Sequence, residues 1–220
     1  MNVRVTLGLD GARTAKGTVA IVDVFRAFTT AAFCVAAGAR EIVLLADHEE
    51  ALRMKRADPS LFLSGEIEGK PIPGFDAGNS PSIIERLDLS GRRVVQRTSS
   101  GTQGVVAASG ARTIALASLV IASATARYLA KAGGDVTIVA MGPNEERNED
   151  VACAEHIAAL IRGERPAVAP IYMPGDHLPE GWPSWFPRRD AELASEVDRF
   201  DFALPVAREA GLLIARPSRR

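Results

Sequence analysis

The chain has 220 residues, of which 47% are hydrophobic and 24% are charged, enough for one substantial core or two modest lobes. Its 26 basic and 27 acidic residues give a net charge of −1, so no field favours nucleic acid or an anionic membrane surface. Two cysteines form no disulfide framework, and no apolar run suits a signal peptide or a membrane span. These features predict a cytoplasmic protein whose partners are small molecules or further copies of the chain.

Short β-branched runs alternate with longer helical runs over residues 1–163. Strands are predicted at 18–23, 41–46, 61–65, 93–98, 113–117 and 135–141. Helices are predicted at 29–39, 47–57, 102–109, 123–132 and 149–163, with a short helix opened by Ser80 and Pro81. Strands that alternate with helices of this length imply crossover connections and a mainly parallel sheet covered on both faces.

The composition changes beyond residue 163. Residues 164–187 contain six prolines and both tryptophans, which predicts an irregular flap. A final helix and the apolar run "GLLIA" are then expected to pack back on the body. The chain is therefore divided into an α/β body at 1–163 and a C-terminal extension at 164–220, within one domain overall. The pattern leaves open whether the extension is a lid or a subunit contact.

Four polar clusters follow predicted strands. Asp23 and Arg26 follow the first strand, "GEIEGK" and "GFDAGNSP" the third, "TSSGT" the fourth, and "GPNEERNED" the strand that ends near residue 141. In a parallel sheet all four clusters lie at the carboxyl edge, where open α/β sheets bind ligands. The sequence therefore predicts one ligand site at this edge.

Several residues of these clusters suit an anion. The "TSSGT" turn and "GNSP" present hydroxyls, an amide and helix N-termini, and Arg26 suits bidentate pairing with a phosphate or sulfonate. The candidate phosphate-binding residues are Arg26, Asn79, Ser80, Thr98, Ser99, Ser100, Gly101 and Thr102. Two alternatives stay open: the turn is a plain helix cap, and Arg26 forms a salt bridge to a neighbouring acid.

Carboxylates gather near the same edge, namely Asp23, Glu66, Glu68, Asp76, Glu149 and Asp150. Hard oxygen ligands beside an anion site suggest Mg²⁺, held by Asp23, Glu66 and Asp150. Alternatively, Glu149 and Asp150 only cap the helix that they begin. Anion donors with a carboxylate-held metal indicate phosphoryl transfer, and attack by an activated water is the default because no nucleophile stands out.

Other kinds of site have less support. No P-loop and no dinucleotide-binding glycine motif is present. Cys34 and Arg40 have the spacing of a cysteine-dependent phosphatase, but Cys34 lies in an apolar helical run, which predicts a buried structural cysteine. Glu149, Cys153 and His156 share a helix face and form a weaker metal candidate.

Together, "VDVFRAFTT", "GEIEGK" with "GFDAGNSP", "RTSSGT" and "ED" before "CA" resemble the 2-phosphosulfolactate phosphatase family over residues 18–163. The resemblance implies a three-layer α/β/α sandwich with a mainly parallel or mixed sheet. It also implies a Mg²⁺-dependent hydrolase that converts (R)-2-phospho-3-sulfolactate to 3-sulfolactate and phosphate, a step towards coenzyme M. The implied catalytic residues are Asp23, Arg26, Glu66, Asp76, Asn79, Glu149 and Asp150.

The loop "GFDAGNSPS" at 74–82 is interpreted as part of this site. Gly74 and Gly78 are expected to permit its bends, Asn79 to face the phosphate and Asp76 to reach the metal. The alternative is a surface turn with a helix cap.

The sequence departs from the family pattern at two site positions. Ile67 stands where the family has Arg, and Ser100 stands where it has Asn. Losing an Arg beside a dianionic substrate removes a charge-assisted contact. These departures leave the particular substrate open, and they leave a non-catalytic anion-binding or regulatory protein on the same fold as the alternative function.

Overall fold

The computed structural model describes residues 1–142, 148–167, 173–177 and 179–219. The strands found there are β1 (Val3–Leu7), β2 (Gly17–Val22), β3 (Glu41–Leu45), β4 (Phe62–Ile67), β5 (Lys70–Pro71), β6 (Arg93–Arg97), β7 (Ala111–Ala117), β8 (Val136–Ala140), β9 (Leu204–Glu209) and β10 (Leu212–Ala215). The α-helices are α1 (Gly8–Thr14), α2 (Ala27–Ala36), α3 (His48–Ala57), α4 (Pro81–Ile84), α5 (Gly101–Ala107), α6 (Ala122–Ala132), α7 (Glu149–Ile161) and α8 (Arg188–Ala194). None of the helices in these ranges has the length and apolar character needed to span a bilayer.

The strands form one sheet in the order β1-β8-β2-β7-β9-β10-β3-β6-β4-β5. The first four strands of that order are parallel to one another, and so are β3, β6 and β4. Between these two parallel sets lies the antiparallel hairpin of β9 and β10, paired to β7 on one side and to β3 on the other. The predicted α/β fold with a mixed sheet is confirmed. The C-terminal extension supplies two central strands of this sheet.

Alternate side chains of the strands face opposite layers of helices. Ile21 packs in a cluster with residues of α1, α2, α4 and α5, whereas its neighbour Val22 packs with residues of α6 and α7. In the second parallel set, Val94 lies on the first face and Val95 packs with Ala51 of α3 on the other. The period of two along each strand thus produces helices on both faces, the three layers of an α/β/α sandwich.

The two parallel sets meet at their carboxyl ends in a sheet that is mixed and twisted. Three successive antiparallel pairings separate β7 from β3, so by pairing alone the sets run in opposite directions. Twist adds about 20–25° at each step, which over the five pairings from β2 to β6 amounts to roughly 100–125°. Helix α5 contacts both β2 of the first parallel set and β3 of the second. A twisted mixed sheet, rather than one parallel edge, therefore brings the polar clusters together.

Two helix starts were predicted from capping residues, and only one of the two capping side chains makes a capping hydrogen bond. The Asp47 carboxylate accepts a hydrogen bond from the N–H of Glu49 at 3.0 Å, which caps α3 as predicted. Ser80 precedes α4 and Pro81 lies in its first turn, also as predicted, but the Ser80 hydroxyl makes no capping bond. Its partner lies in the C-terminal extension.

Candidate active site

A cavity of about 230 Å³ lies where β2, β4 and β6 end and the C-terminal extension crosses them. The residues that line it are Asp23, Phe25, Arg26, Glu66, Gly69, Asn79, Ser99, Ser100, Trp185 and Phe186. Six of these were predicted from the sequence as site residues, and they come from three of the four polar clusters. The fold therefore gathers residues that are far apart in the chain around one cavity.

Asp23 lies just after β2 and is only 4% exposed. Its Oδ1 accepts a hydrogen bond from the N–H of Ala27 at 2.9 Å, which fixes the start of α2. Its Oδ2 faces Gly101, where an added Cβ would lie only 2.8 Å from that oxygen. Because a side chain at residue 101 would displace the carboxylate, glycine there permits α5 to begin against Asp23.

Glu66 connects the end of β4 to the turn at 98–102. Its Oε2 accepts from the N–H of Gly69 at 2.6 Å and from the hydroxyl of Ser99 at 3.1 Å. Its Oε1 accepts from the N–H of Ser99, and the Arg97 side chain donates to the backbone carbonyl of Glu66 at 2.8 Å. The carboxylate is thereby held in one orientation at the cavity wall.

The turn at 98–102 is held by its own hydroxyls. Thr102 N–H donates to Oγ1 of Thr98 at 3.1 Å, and Thr98 N–H donates to Oγ1 of Thr102 at 2.8 Å. The Ser100 hydroxyl donates to the carbonyl of Met141 at 2.9 Å. Thr98 and Thr102 are buried and do not line the cavity, and their hydroxyls bond within the turn, while the N-cap residue Ser100 makes no side-chain capping bond to α5. Ser99 and Ser100 remain at the cavity wall.

The loop at 74–82 runs beside β4 and contains the predicted site residues Asp76 and Asn79. Of these two, only Asn79 reaches the cavity. Asp76 pairs with Lys55 at 2.9 Å and accepts from the N–H of Leu63 at 2.7 Å, so it lies outside the cavity lining. The structure thus does not bring Asp76 to the metal position expected for it. Asn79 lines the cavity, is 5% exposed, and its Oδ1 has no hydrogen-bond partner among the described residues.

Arg26 forms the salt bridge that the sequence analysis left open. The side chain is 3% exposed, and Nη1 lies 2.7 Å from Oδ2 of Asp190 and 2.8 Å from the carbonyl oxygen of Trp185. Nη2 donates to the carbonyl of Gly69 at 3.3 Å. Cζ lies 4.2 Å from the centroid of the Phe186 ring, and the peptide bond before Arg26 is cis. The guanidinium is therefore held between the body and the extension.

Sequence reasoning missed the contribution of the extension. Trp185 and Phe186 line the cavity, and Asp190 accepts from the Ser80 hydroxyl at 2.8 Å. Ser80 is therefore engaged with Asp190 rather than with the cavity. One sequence signal was available for the burial of Asp190, though not for its partner: the apolar Leu193 follows three positions later, which places Asp190 on the apolar face of the final helix.

The fourth polar cluster supports the site from outside the cavity lining. Residues 143–147 of this cluster lie outside the described residues. Asp150 is 3% exposed, and its Oδ1 accepts from the N–H of Val24 at 2.6 Å, which holds the segment after β2. The Asn148 side chain caps α7 by accepting from the N–H of Val151 at 2.8 Å. Neither Glu149 nor Asp150 lines the cavity.

The carboxylates near the cavity repel one another. Burial, reinforced by the charges of Glu66 and Glu149, raises the pKa of Asp23 to about 7. Burial, with Asp23 and Glu149 nearby, raises the pKa of Asp150 well above its ordinary value, and burial raises the pKa of Glu149. A bound cation would relieve this repulsion.

The donors at the cavity suit Mg²⁺ with few protein ligands. Across the described ranges, no three His, Cys, Asp or Glu side chains are gathered for one metal ion. Mg²⁺ usually takes one or two carboxylates and completes its shell with water and substrate oxygens. Asp23 and Glu66 line the cavity beside Oδ1 of Asn79, which has no hydrogen-bond partner in the described part of the chain, and these three hard oxygen donors fit that pattern.

Cys34 is a core residue of α2. It is buried, and burial raises the pKa of its thiol to about 12, so the prediction of a buried structural cysteine is confirmed.

Comparison with known proteins identifies the family. Its sequence model, described as 2-phosphosulpholactate phosphatase, matches residues 7–170. Similar proteins named "Probable 2-phosphosulfolactate phosphatase" occur in Bacillus subtilis (32% identical over 144 residues, 65% of this chain and 63% of the relative). Others occur in Carboxydothermus hydrogenoformans (36% over 148 residues, 67% and 61%) and Deinococcus radiodurans (44% over 144 residues, 64% and 60%).

The chain spans less than two thirds of the length of these relatives. The family match nevertheless covers most of the chain, including every cavity residue except Trp185 and Phe186. The resemblance inferred from the sequence motifs is confirmed. The chain belongs to the 2-phosphosulpholactate phosphatase family.

Proposed function

We propose that the chain is a Mg²⁺-dependent phosphatase that hydrolyses (R)-2-phospho-3-sulfolactate to 3-sulfolactate and inorganic phosphate. The observation that carries the proposal is the joining of two carboxylates, an amide and a guanidinium around one cavity, all within the family match. The names of the similar proteins support a phosphate ester of this kind as substrate.

The charges at the cavity support a divalent cation. The two carboxylates of the lining, Asp23 and Glu66, accompany one guanidinium, and that guanidinium is already paired with Asp190. A substrate that carries phosphate, carboxylate and sulfonate groups would meet net negative charge there. Mg²⁺, when bound, supplies the compensating positive charge at the phosphoryl oxygens. We assign Asp23, Glu66 and Asn79 as its protein ligands, with Asp150 holding the segment that follows Asp23.

We place the phosphate group between Arg26 and the turn at 98–102. Arg26 donates N–H groups to the phosphoryl oxygens, and Ser99 and Ser100, which directly precede α5, lie beside them at the cavity wall. Glu66 orients Ser99 through two hydrogen bonds, so the turn is rigid before substrate binds. In the reaction, the oxygen of a water molecule bonds to phosphorus and the water gives up one proton. The bond between phosphorus and the ester oxygen breaks, and that oxygen takes up a proton to become the hydroxyl of sulfolactate, so no net proton is gained or lost.

The direct test is phosphate release from 2-phosphosulfolactate and from a panel of small phosphorylated acids, with Mg²⁺ and with EDTA. We expect metal-dependent release, and Asp23→Asn should lose most of it because a ligand carboxylate is removed. Asp201→Asn is a matched control, since that carboxylate is exposed and pairs with Arg127 at the surface.

Two results would contradict the proposal. Full turnover in the presence of EDTA would show that the reaction does not depend on a metal ion. Thermal stabilisation by the same compounds without any release would instead indicate the non-catalytic anion-binding alternative.

A further inference from the structure

Asp190 is a buried carboxylate outside the residues that define the family match. It lies in α8, and the match ends at residue 170. Its side chain is 0% exposed, so both oxygens depend on protein partners. Those partners belong to the body of the fold.

The two oxygens of Asp190 join two parts of the site. Oδ2 receives Nη1 of Arg26 at 2.7 Å. Oδ1 receives the hydroxyl of Ser80 at 2.8 Å and the N–H of Ser82 at 3.0 Å. Ser80 directly follows Asn79, so one carboxylate fixes both the guanidinium and the helix start next to the cavity amide.

The bonds of Arg26 leave one part of its guanidinium for a ligand. A guanidinium has five N–H groups. Asp190, the carbonyl of Trp185 and the carbonyl of Gly69 accept three of them. No acceptor among the described residues takes Nε–H or the second N–H of Nη2, and Arg26 lines the cavity. The ring of Phe186, 4.2 Å from Cζ, restricts the guanidinium plane.

We propose that Asp190 is a positioning residue for phosphate binding. It holds Nη1 of Arg26, so that the unused N–H groups on Nε and Nη2 are presented to a phosphoryl oxygen pair. The inference rests on the proposed phosphatase function for its substrate. A residue beyond the family match thus sets the orientation of the anion-binding arginine.

A simple structural role predicts something different. A buried ion pair that only attaches the extension to the body would change stability and leave the affinity of the folded protein for phosphate unchanged. A positioning role predicts that Asp190→Asn, assayed well below its unfolding temperature, raises KM and the Kd for inorganic phosphate about tenfold, because a charge-assisted contact is misaligned. We expect a smaller change in kcat, and we expect Asp190→Glu to recover part of the affinity.

A double-mutant cycle with Arg26→Lys shows whether the effect passes through Arg26. Lysine keeps the charge but lacks the planar fork, so Asp190 has nothing left to align. We therefore expect Asp190→Asn to change phosphate affinity little in the Arg26→Lys background. Phe186→Leu, which removes the stacking ring but no charge, is the substitute if Asp190→Asn does not fold, and it too should raise the Kd for phosphate. Asp201→Asn is the matched control.

The outcomes separate this inference from the proposed function. The measurements are phosphate release and calorimetric titration with inorganic phosphate in the presence of Mg²⁺. If the wild type turns over substrate but Asp190→Asn leaves KM and the Kd for phosphate unchanged, the positioning role of Asp190 is wrong and the phosphatase stands. Fully additive effects in the double-mutant cycle would have the same meaning. If the wild type binds phosphate without turnover and Asp190→Asn weakens that binding, the phosphatase function is wrong and the positioning role of Asp190 is supported.

Discussion

Gly101 and Asp23 are packed so closely that a Cβ on residue 101 would lie 2.8 Å from Oδ2 of the carboxylate. The same added atom would lie 2.8 Å from Cβ of Ala27 and 3.0 Å from Cζ of Phe28. Since the start of α2 blocks one side, an alanine here must push the carboxylate or the first turn of α5. The absence of a side chain at Gly101 therefore sets the distance between the turn at 98–102 and Asp23.

We expect Gly101→Ala to impair the site more than the fold. Overpacking of this kind costs about 1–3 kcal/mol of unfolding free energy. Displacement of Asp23 from a metal position should lower kcat/KM by about 100-fold, as expected when catalytic geometry shifts by about 1 Å. Urea unfolding and phosphate release measure the two effects. Gly110→Ala is the matched control, because the nearest atom to its added Cβ is 3.4 Å away.

Strands β2, β3, β4, β6, β7 and β8 were predictable because their physics is local, whereas β1 (Val3–Leu7) and α1 (Gly8–Thr14) were not predicted. "TVAIVD" and "DVTIVAM" are continuously apolar and β-branched, as buried parallel strands are, and they correspond to β2 and β8. β9 was not predictable in the same way. It lies in the middle of the sheet, yet its sequence carries Pro205 and the charged Arg208, both of which argue against a central strand. Its position depends on partners more than 80 residues away, Ala115 among them.

The candidate site was predictable to the extent that its residues follow strands. Asp23, Glu66 and Ser99 come directly after or at the ends of β2, β4 and β6, and the fold gathers them. Asp76 also belongs to a polar loop, but its pairing with Lys55 takes it away from the cavity. The contact of Asp190 with Arg26 joins residues 164 positions apart, and no spacing rule in the sequence indicates such a pair.

The carboxylate repulsion predicts how stability depends on pH in EDTA. Burial and neighbouring acids raise the pKa of Asp23 from its ordinary 3.8 to about 7. An acid with a raised folded pKa contributes stability that is fully present below its unfolded pKa and is lost as pH rises through the folded pKa. Asp23→Asn should therefore gain stability relative to the wild type between about pH 4 and pH 7 and hold that gain above pH 7.

The measurement is urea unfolding of both proteins in EDTA at pH 5, 7 and 8.5. A difference that does not grow with pH would contradict the assigned environment of Asp23. Adding Mg²⁺ should raise the Tm of the wild type more at pH 8 than at pH 5, because protons compete with the cation for the carboxylates.

Neither cysteine is expected to take part in the chemistry. Both thiols are buried, and burial raises the pKa of Cys34 to about 12 and that of Cys153 well above its ordinary value. Native protein should react negligibly with iodoacetamide at pH 8 and should keep full phosphate release. Unfolded protein provides the control, in which both thiols should be labelled. Loss of activity upon labelling of the native protein would return Cys34 to consideration as a nucleophile.

Glu41 should stabilise the junction between β3, β6 and β10 in a pH-dependent way. Its carboxylate is 5% exposed and accepts from Nε of Arg93 at 2.6 Å and from Nε of Arg216 at 2.8 Å. Burial alone would raise the pKa of Glu41, but the two arginines outweigh it and hold the pKa below its ordinary 4.5.

Stability from such a group is present above the unfolded pKa and is lost as pH falls through the lower folded value. Glu41→Gln should therefore cost about 1–2 kcal/mol at pH 7, since the arginines are partly exposed to solvent, and less at pH 3, where the carboxyl of the unfolded chain is already protonated. Asp10→Asn, which removes an exposed pair with Arg13, should cost almost nothing at either pH, and an equal loss in both variants would contradict the assignment.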